Sequence, residues 1–429
     1  MKKKISILTV GTRGDVEPFV ALSKKLMSKG YKVQIVTHND FLSLASEHGV
    51  NIAPIQLSSK EFTAPLMNAP KMNPFTTIRL MRGILEPLLE SILPDMWKAA
   101  SDSDVIISSG TTLWGLDIAE KLGVPHILAA LQPLFPTAEF PHPSLLVLPR
   151  LGFLNKLSYI IAGYSYWQMI ARTINEWRVE YLKLPKKIDR FIEPEVWNKQ
   201  LHLLAYSPLV VPQPSDWVGN VATTGYWRLP CSMYSPNNQL IHFLKSSQPK
   251  PIYIGFGSML YKDMKHVVSI AISALCQSGR RGIISFDEIY LGDIHLPENI
   301  INVNSVPHDW LFPQLAAAIH HGGAGTTAAA MRAGIPSIAI PSFADQAFWG
   351  QRIEALGVGS SPIPKEELTV ERLVKAIRTL ISNQPMQRRA IELKHQLVKE
   401  NGVEDAVALI HRHICHSEAA VALDSAPGL

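Results

Sequence analysis

Cysteine is scarce in this chain, with Cys231, Cys276 and Cys415 far apart among 429 residues. They give no metal-ligand spacing and no disulfide framework, which fits a reducing cytosol. Long apolar runs are also missing. A membrane-spanning helix needs about 18 or more apolar residues in succession, so none is expected. The nearest approach, Leu157 to Ala171, carries no charge but is interrupted by Ser158, Ser165 and Gln168. It reads as a partly buried helix, with membrane contact as the alternative. The start, Met-Lys-Lys-Lys followed by strand-like sequence, lacks the apolar core and cleavage site of a signal peptide. No stripe of Lys and Arg interleaved with aromatics is present, so no nucleic-acid partner is expected. The expected setting is the cytoplasm.

Composition is that of a globular protein, 47% hydrophobic and 18% charged. The length implies two to three domains. The net charge of +5 is unevenly spread: residues 1–215 hold 23 Lys/Arg against 18 Asp/Glu, and the remainder holds 18 of each. This mild surplus reads as ordinary solvated surface, with weak peripheral attraction to an anionic membrane as the alternative.

Strand-like and helix-like segments alternate in two blocks. Ile5–Val10 is a strand, Gly11–Gly14 a turn and Pro18–Ser28 a helix; a second strand follows over Tyr31–Thr37. Asp104–Ser108 is a strand, a helix runs to Leu122, and 125–130 is a strand again. The grammar restarts at Pro251–Ser258, with short strands expected at 282–286, 300–303, 317–320 and 335–340. One element echoes across the blocks. SSGTTLWGLDIAEKLGVPHILAA (108–130) resembles GAGTTAAAMRAGIPSIAI (323–340). Two related α/β domains therefore fit better than one enlarged sheet. The expected division is 1–212, a linker over 213–228 rich in Pro, Gly and small polar residues, 229–401, a C-terminal helix over 402–415, and a weakly patterned tail, 416–429, expected to be mobile. The breaker-rich, apolar stretches within 60–200 suit a hydrophobic ligand site or plain loop packing.

HHGGAGTTAAAMRAGIPSIAIPSFADQAFWGQRI (320–353) carries the strongest chemistry. Gly322, Gly323 and Gly325 let backbone approach a ligand closely. Thr326 and Thr327 then open an Ala-rich helix, whose free N–H groups make an anion site. His321 can donate to the same anion. Asp345 and Gln346, further on, suit sugar hydroxyls. A diphosphate at one point and hydroxyls at another describe a nucleotide sugar. Tandem histidines also suggest metal, but neighbours on a strand point to opposite faces, so no metal is expected. Asp102-Ser-Asp104 matches a metal-binding D-x-D, yet it precedes a strand where that motif must follow one, and it reads as a loop.

GTRGDVEPFVAL (11–22), YSPLVVPQPSDW (206–217), TTGYW (223–227), GFGSM (255–259), VPHDWLFPQ (306–314) and the 320–353 block together resemble a family 1 glycosyltransferase of GT-B fold. The nearest branches are the sterol 3-beta-glucosyltransferases and the antibiotic-aglycone glycosyltransferases. The resemblance implies two Rossmann-like α/β domains facing across a cleft, with the acceptor in the N-terminal domain and the donor in the C-terminal one. It implies inverting, metal-independent transfer from a UDP-sugar co-substrate, without a cofactor, to a hydroxyl of a hydrophobic acceptor such as a sterol. By position, His321, Ala324, Gly325 and Thr326 would meet the diphosphate with Ser258 beside it. Asp345 and Gln346 would hold the sugar, and Val306 and His308 would line base and ribose. Many members place an aromatic base-stacker where this chain has Ser305; Trp310 is the candidate replacement.

No histidine stands before His38 to serve as the base that many members use. Asp15 lies in the G-[ST]-R-G-D pattern of the sterol-like branch and is the expected base, taking the acceptor's proton as it attacks. The structural alternative for Asp15 is a helix N-cap before Pro18. Thr12 and Arg13 would face the donor, with Arg13 neutralising phosphate. Rival functions are glycosylation of a polyketide or peptide aglycone, a non-catalytic nucleotide-sugar or lipid-binding protein, and an epimerase of the same fold. A dinucleotide oxidoreductase is disfavoured because Gly11-Thr-Arg-Gly14 lacks the middle glycine of its fingerprint.

Overall fold

The computed structural model describes residues 3–69, 74–145, 151–187, 200–217, 219–230, 234–245, 249–257, 263–292, 294–304 and 306–424. Ser258, Ser305 and Cys231 lie outside them. The chain divides into two units. One comprises 1–208, 212–229 and 401–429; the other comprises 209–211 and 230–400.

The first unit is built on seven strands: β1 (Lys4–Leu8), β2 (Lys32–His38), β3 (Asn51–Ile55), β4 (Val105–Ser109), β5 (His126–Ala130), β6 (Leu201–Leu204) and β7 (Val221–Thr223). They lie in the order β3-β2-β1-β4-β5-β6-β7 and every pairing is parallel. Such a sheet must be covered on both faces, which explains the near-continuous apolar strands. Ile5 and Ile7 join one core with Phe19, Leu22 and Leu26 of the Arg13–Ser28 helix. Leu8 and Ile106 join the opposite core with the Pro74–Ala100 and Gly152–Trp177 helices.

Three boundaries differ from the sequence expectation. The first helix begins at Arg13 rather than Pro18, so Pro18 lies inside it. Thr12 is the extended residue at the N-cap, and the acid that follows in the first turn favours an early start. The stretch expected to be a linker supplies β7, which pairs with β6. The final helix runs Gly402–Asp424, past Cys415. It belongs to the first unit, where Ala406, Val407, Ile410 and Ile414 are buried with the Arg13–Ser28 helix.

The Gly152–Trp177 helix is half inverted. Asn155 and Ser158 are buried, whereas Phe153, Leu157, Ile160, Ile161 and Tyr164 are exposed. Asn155 donates to the Ala138 carbonyl at 2.7 Å and Ser158 accepts from His142 N–H at 2.7 Å, so the polar side is anchored inward. Among the described residues no helix is long and apolar enough to cross a membrane.

The second unit holds β8 (Ile252–Gly255), β9 (Gly282–Ser285), β10 (Ile300–Asn302), β11 (Ala317–His320) and β12 (Ser337–Ala339), in the order β10-β9-β8-β11-β12, again all parallel. The echo between 108–130 and 323–340 is structural. Each is a helix closed by a left-handed glycine, Gly123 (φ 64°) or Gly334 (φ 74°), and then a parallel strand.

Candidate functional site

In an open parallel sheet, ligands gather beyond the carboxyl ends of the strands where the strand order reverses. In the first unit that point lies between β1 and β4, because β2 and β3 extend to one side of β1 and β4 to the other. In the second it lies between β8 and β11. The two sequence motifs stand at these two points, Val10–Asp15 after β1 and His321–Thr327 after β11.

At the first point, Asp15 is the third residue of its helix. Its Oδ2 accepts from Thr12 N–H at 2.8 Å and from Thr12 Oγ at 2.9 Å. This is the contact an acid at that position makes back to the cap residue. The N-cap is therefore Thr12, and the structural alternative for Asp15 is this back-contact rather than capping itself. Asp15 is half-buried, and Oδ1 makes no hydrogen bond among the described residues. Burial raises its pKa above the usual carboxylate value, against the opposing pull of the two Thr12 bonds. A carboxylate short of solvation and with one oxygen unengaged suits proton abstraction. Thr12 thus serves Asp15. Arg13 is exposed and its guanidinium pairs with Glu17 at 2.7 Å.

Gly11 has φ +131°, and a β-carbon there would stand 2.5 Å from Asp15 Oδ2. Only glycine allows this approach. Three residues that sequence reasoning did not single out surround the turn. Thr111 Oγ donates to the Val10 carbonyl at 2.8 Å, Ser59 Oγ to the Gly11 carbonyl at 2.6 Å, and His38 Nε2 accepts from Gly11 N–H at 3.0 Å. For His38 no local signal existed: it ends β2, and only the pairing of β2 with β1, whose register sets Leu8 against Val36, brings it level with the turn.

At the second point, Gly322 turns with φ +90° and its N–H donates to His320 Nδ1 at 3.0 Å. His320 is buried and its Nε2 has no partner. His321 points the other way, against Gly257 and Gly323; a β-carbon at Gly323 would collide with His321 Nε2, and one at Gly257 would stand 3.2 Å from Cε1. Burial, then the nearby His308, pushes the His321 pKa down to about 4. Both imidazoles are therefore neutral at physiological pH.

Gly323 is the extended N-cap of the Ala324–Ala333 helix, so Ala324, Gly325 and Thr326 form its first turn. Thr327 is buried, with Oγ1 unpartnered, as is His321 Nδ1. A buried polar atom left unsatisfied costs about 1–3 kcal/mol. Three of them, His320 Nε2, His321 Nδ1 and Thr327 Oγ1, fall within the eight residues 320–327 that lead into and open this helix. Free backbone N–H groups at that start add further donors.

The turn carrying Asp345 and Gln346 is brought against this one: a β-carbon on Gly322 would stand 2.7 Å from the Gln346 carbonyl. Gln346 Oε1 accepts from Ser342 N–H at 2.9 Å and Phe343 N–H at 3.2 Å, shaping the loop. Asp345 Oδ2 accepts from Trp349 Nε1 at 2.6 Å. Immediately before them Ala344 holds φ +52°, a strained conformation for a residue with a side chain. His308 stacks on Phe312 (centroids 4.5 Å, 23°) and lies 3.3 Å from the Tyr253 hydroxyl, beside half-buried Val306. Trp310 meets Tyr234 edge-on at 5.2 Å and leans on the adjacent core. Asp102 and Asp104 are tied to Lys4, the first residue of β1, Asp104 through Lys4 N–H at 2.7 Å.

Two doubly wound parallel units with these motifs at their switch points define a glycosyltransferase of the GT-B class. Solved structures agree on the fold. The glycotransferase of kitacinnamycin superposes with a TM-score of 0.69 at 17% identity, covering 96% of this chain and 99% of that one. The calicheamicin glycosyltransferase CalG4 gives 0.68 at 16%, covering 96% and 98%. Residues 5–141 match the glycosyltransferase family 28 N-terminal domain, and 272–409 match the erythromycin biosynthesis protein CIII-like C-terminal domain.

Among curated relatives, the sterol 3-beta-glucosyltransferase UGT80B1 of Arabidopsis thaliana is 37% identical over 423 residues, 96% of this chain and 68% of the relative. The sterol 3-beta-glucosyltransferase of Komagataella phaffii is 35% identical over 426 residues, 96% of this chain and 34% of its own length. The chain belongs to the sterol 3-beta-glucosyltransferase family of glycosyltransferases. It spans about two thirds of the plant relative and about one third of the fungal one.

Proposed function

We propose that this protein transfers glucose from UDP-glucose to the hydroxyl of a sterol, with inversion at the anomeric carbon and without a metal. The acceptor hydroxyl loses its proton to Asp15 as its oxygen bonds to C1 of the sugar. The C1–oxygen bond to the diphosphate breaks, and UDP leaves. The first turn of the Ala324–Ala333 helix, with Thr326, stabilises the charge on the leaving diphosphate, and neutral His321 donates a hydrogen bond to it. Asp345 and Gln346 hold the sugar hydroxyls, and Val306 and His308 line the nucleoside. Ser258, Arg13 and Trp310 are assigned to the donor by motif alone.

The observation that carries this reading is the helix start after β11, where Gly323 caps the first turn and His321 Nδ1 and Thr327 Oγ1 are buried without partners. The sterol acceptor is supported by the named activity of the relatives. A nucleoside diphosphate is supported by SsfS6, a structural neighbour solved with thymidine diphosphate (TM-score 0.63, 17% identical).

The test offers UDP-glucose with a panel of sterols and natural-product aglycones and follows products by mass spectrometry. Sterol glucoside as the dominant product is expected. Aglycone products without sterol glucoside would reassign the acceptor. Free glucose alone, or donor binding without turnover, would overturn the transferase reading. Asp15→Asn should keep UDP binding and lose turnover by about 100-fold or more, the usual scale for general-base loss.

Peripheral contact with lipid, in a cytoplasmic setting, belongs to the same reading, because a sterol acceptor resides in membranes. The exposed Phe153, Leu157, Ile160, Ile161 and Tyr164 are its candidate contact. Sedimentation with anionic vesicles should fall when Phe153 and Ile160 are both changed to Ser. Unchanged sedimentation would remove that face from the assignment.

A further inference from the structure

His38 ends β2 with its ring wholly buried, and the reaction scheme above does not use it. Its hydrogen bonds determine its tautomer. The Gly11 N–H can only donate, so Nε2 is the acceptor. The Leu57 carbonyl, 2.7 Å from Nδ1, can only accept, so Nδ1 carries the proton. Phe62 and Phe41 pack the ring at centroid distances of 5.5 and 6.3 Å. The bond to Gly11 is one of two that grip the same residue, since Ser59 Oγ donates to the Gly11 carbonyl at 2.6 Å. Ser59 is itself held through its N–H by Asp40 at 2.8 Å. Gly11 is the residue against which Asp15 Oδ2 is seated.

We propose that His38 is a positioning residue for transfer: as a neutral Nδ1–H imidazole it sets the Gly11 peptide and, through it, the place of the Asp15 carboxylate. This rests on Asp15 being the base. Misplacing a reacting group by about 1 Å can cost about 100-fold in rate, so a bond two residues removed from substrate carries weight. His38 touches neither donor nor acceptor in this scheme, and its loss acts on turnover rather than on donor affinity.

The test compares two substitutions that divide the ring's functions. A glutamine places its amide near the Nε2 position, and an asparagine places its amide near the Nδ1 position. With UDP-glucose and cholesterol in detergent, His38→Gln should retain kcat within about threefold, whereas His38→Asn should lose about 100-fold with KM for UDP-glucose unchanged. Both variants keep a polar, buried amide. Equal loss in the two, or loss that appears in KM, would therefore mark a merely structural histidine and overturn the proposal.

A double variant guards against a folding defect. If His38 acts through Asp15, adding His38→Asn to Asp15→Asn should lower turnover no further; multiplied losses would overturn it. Full activity of Asp15→Asn alone would sink the base assignment instead. Impaired Asp15→Asn beside fully active His38→Asn would sink only the role given to His38.

Discussion

Asp15 occupies a position where stability and activity pull apart. Burial raises its pKa, so the ionised form is the less favoured one in the fold. A group of this kind contributes stability below its unfolded pKa and loses it as pH rises through the folded value. Asp15→Asn removes the charge but keeps an oxygen to accept from Thr12. Its thermal midpoint at pH 7 should therefore equal or exceed that of the parent while turnover collapses; a scan of both proteins checks this. Gly11→Ala should fail on both counts. The φ of +131° and the clash with Asp15 Oδ2 imply about 1–3 kcal/mol of strain, measurable by denaturant unfolding, together with reduced kcat. In the sequence, the Gly-rich turn and its acid were legible because glycine spacing and side-chain chemistry are local. His38 was not, because 27 residues separate it from Gly11 and only parallel pairing of β1 with β2 brings them level.

At the scale of elements, the helix ends show what sequence patterns miss. Pro18 reads as a first helical residue, since a missing N–H is harmless there. Here the cap at Thr12 and the acid at Asp15 start the helix earlier, and the first turn tolerates the carbonyl that Pro18 leaves unbonded. The Gly115–Leu122 helix is fastened by a buried charge cluster that no motif announces. Arg178, almost fully buried, pairs with Asp117 and grips Glu120 at 2.9 and 3.0 Å, and Lys187 reaches Asp117 at 2.7 Å. Arg178→Met would leave Asp117 buried with one cation fewer. The expected cost is about 3–5 kcal/mol, read by urea unfolding, and Arg178→Met with Asp117→Leu should recover part of it.

The whole chain crosses back on itself, and this gives a test that domain boundaries in sequence would not suggest. Val407, Ile410 and Ile414, in the last helix, are buried in the first unit. Removing them forfeits about 1.5–3 kcal/mol each, a large share of the about 5–15 kcal/mol that holds a domain. Truncation after Glu400 should therefore leave the second unit folded and able to bind UDP, while limited proteolysis clears residues 1–229.

A second whole-molecule expectation concerns acid. The His126 and His321 pKa values are pushed down to about 4 by burial, from 6.5. Their contribution is complete above the unfolded value and is lost as pH falls toward about 4. The unfolding midpoint should fall between pH 6.5 and 4, and His126→Gln should flatten that slope.

Composition, alternation and glycine placement by themselves determined that this is a two-part α/β protein, that a glycine-rich helix start follows His321, and that an acid, Asp15, stands in the turn after the first strand. These follow from local chemistry: periodicity of burial, backbone freedom at glycine, and free N–H groups at a helix end. Only the tertiary structure decided which unit owns the last helix, that the presumed linker adds a strand, and that His38 and Ser59 hold the turn beneath Asp15. Those depend on strand order and register, which join residues far apart in the chain through hydrogen bonds that no local pattern encodes.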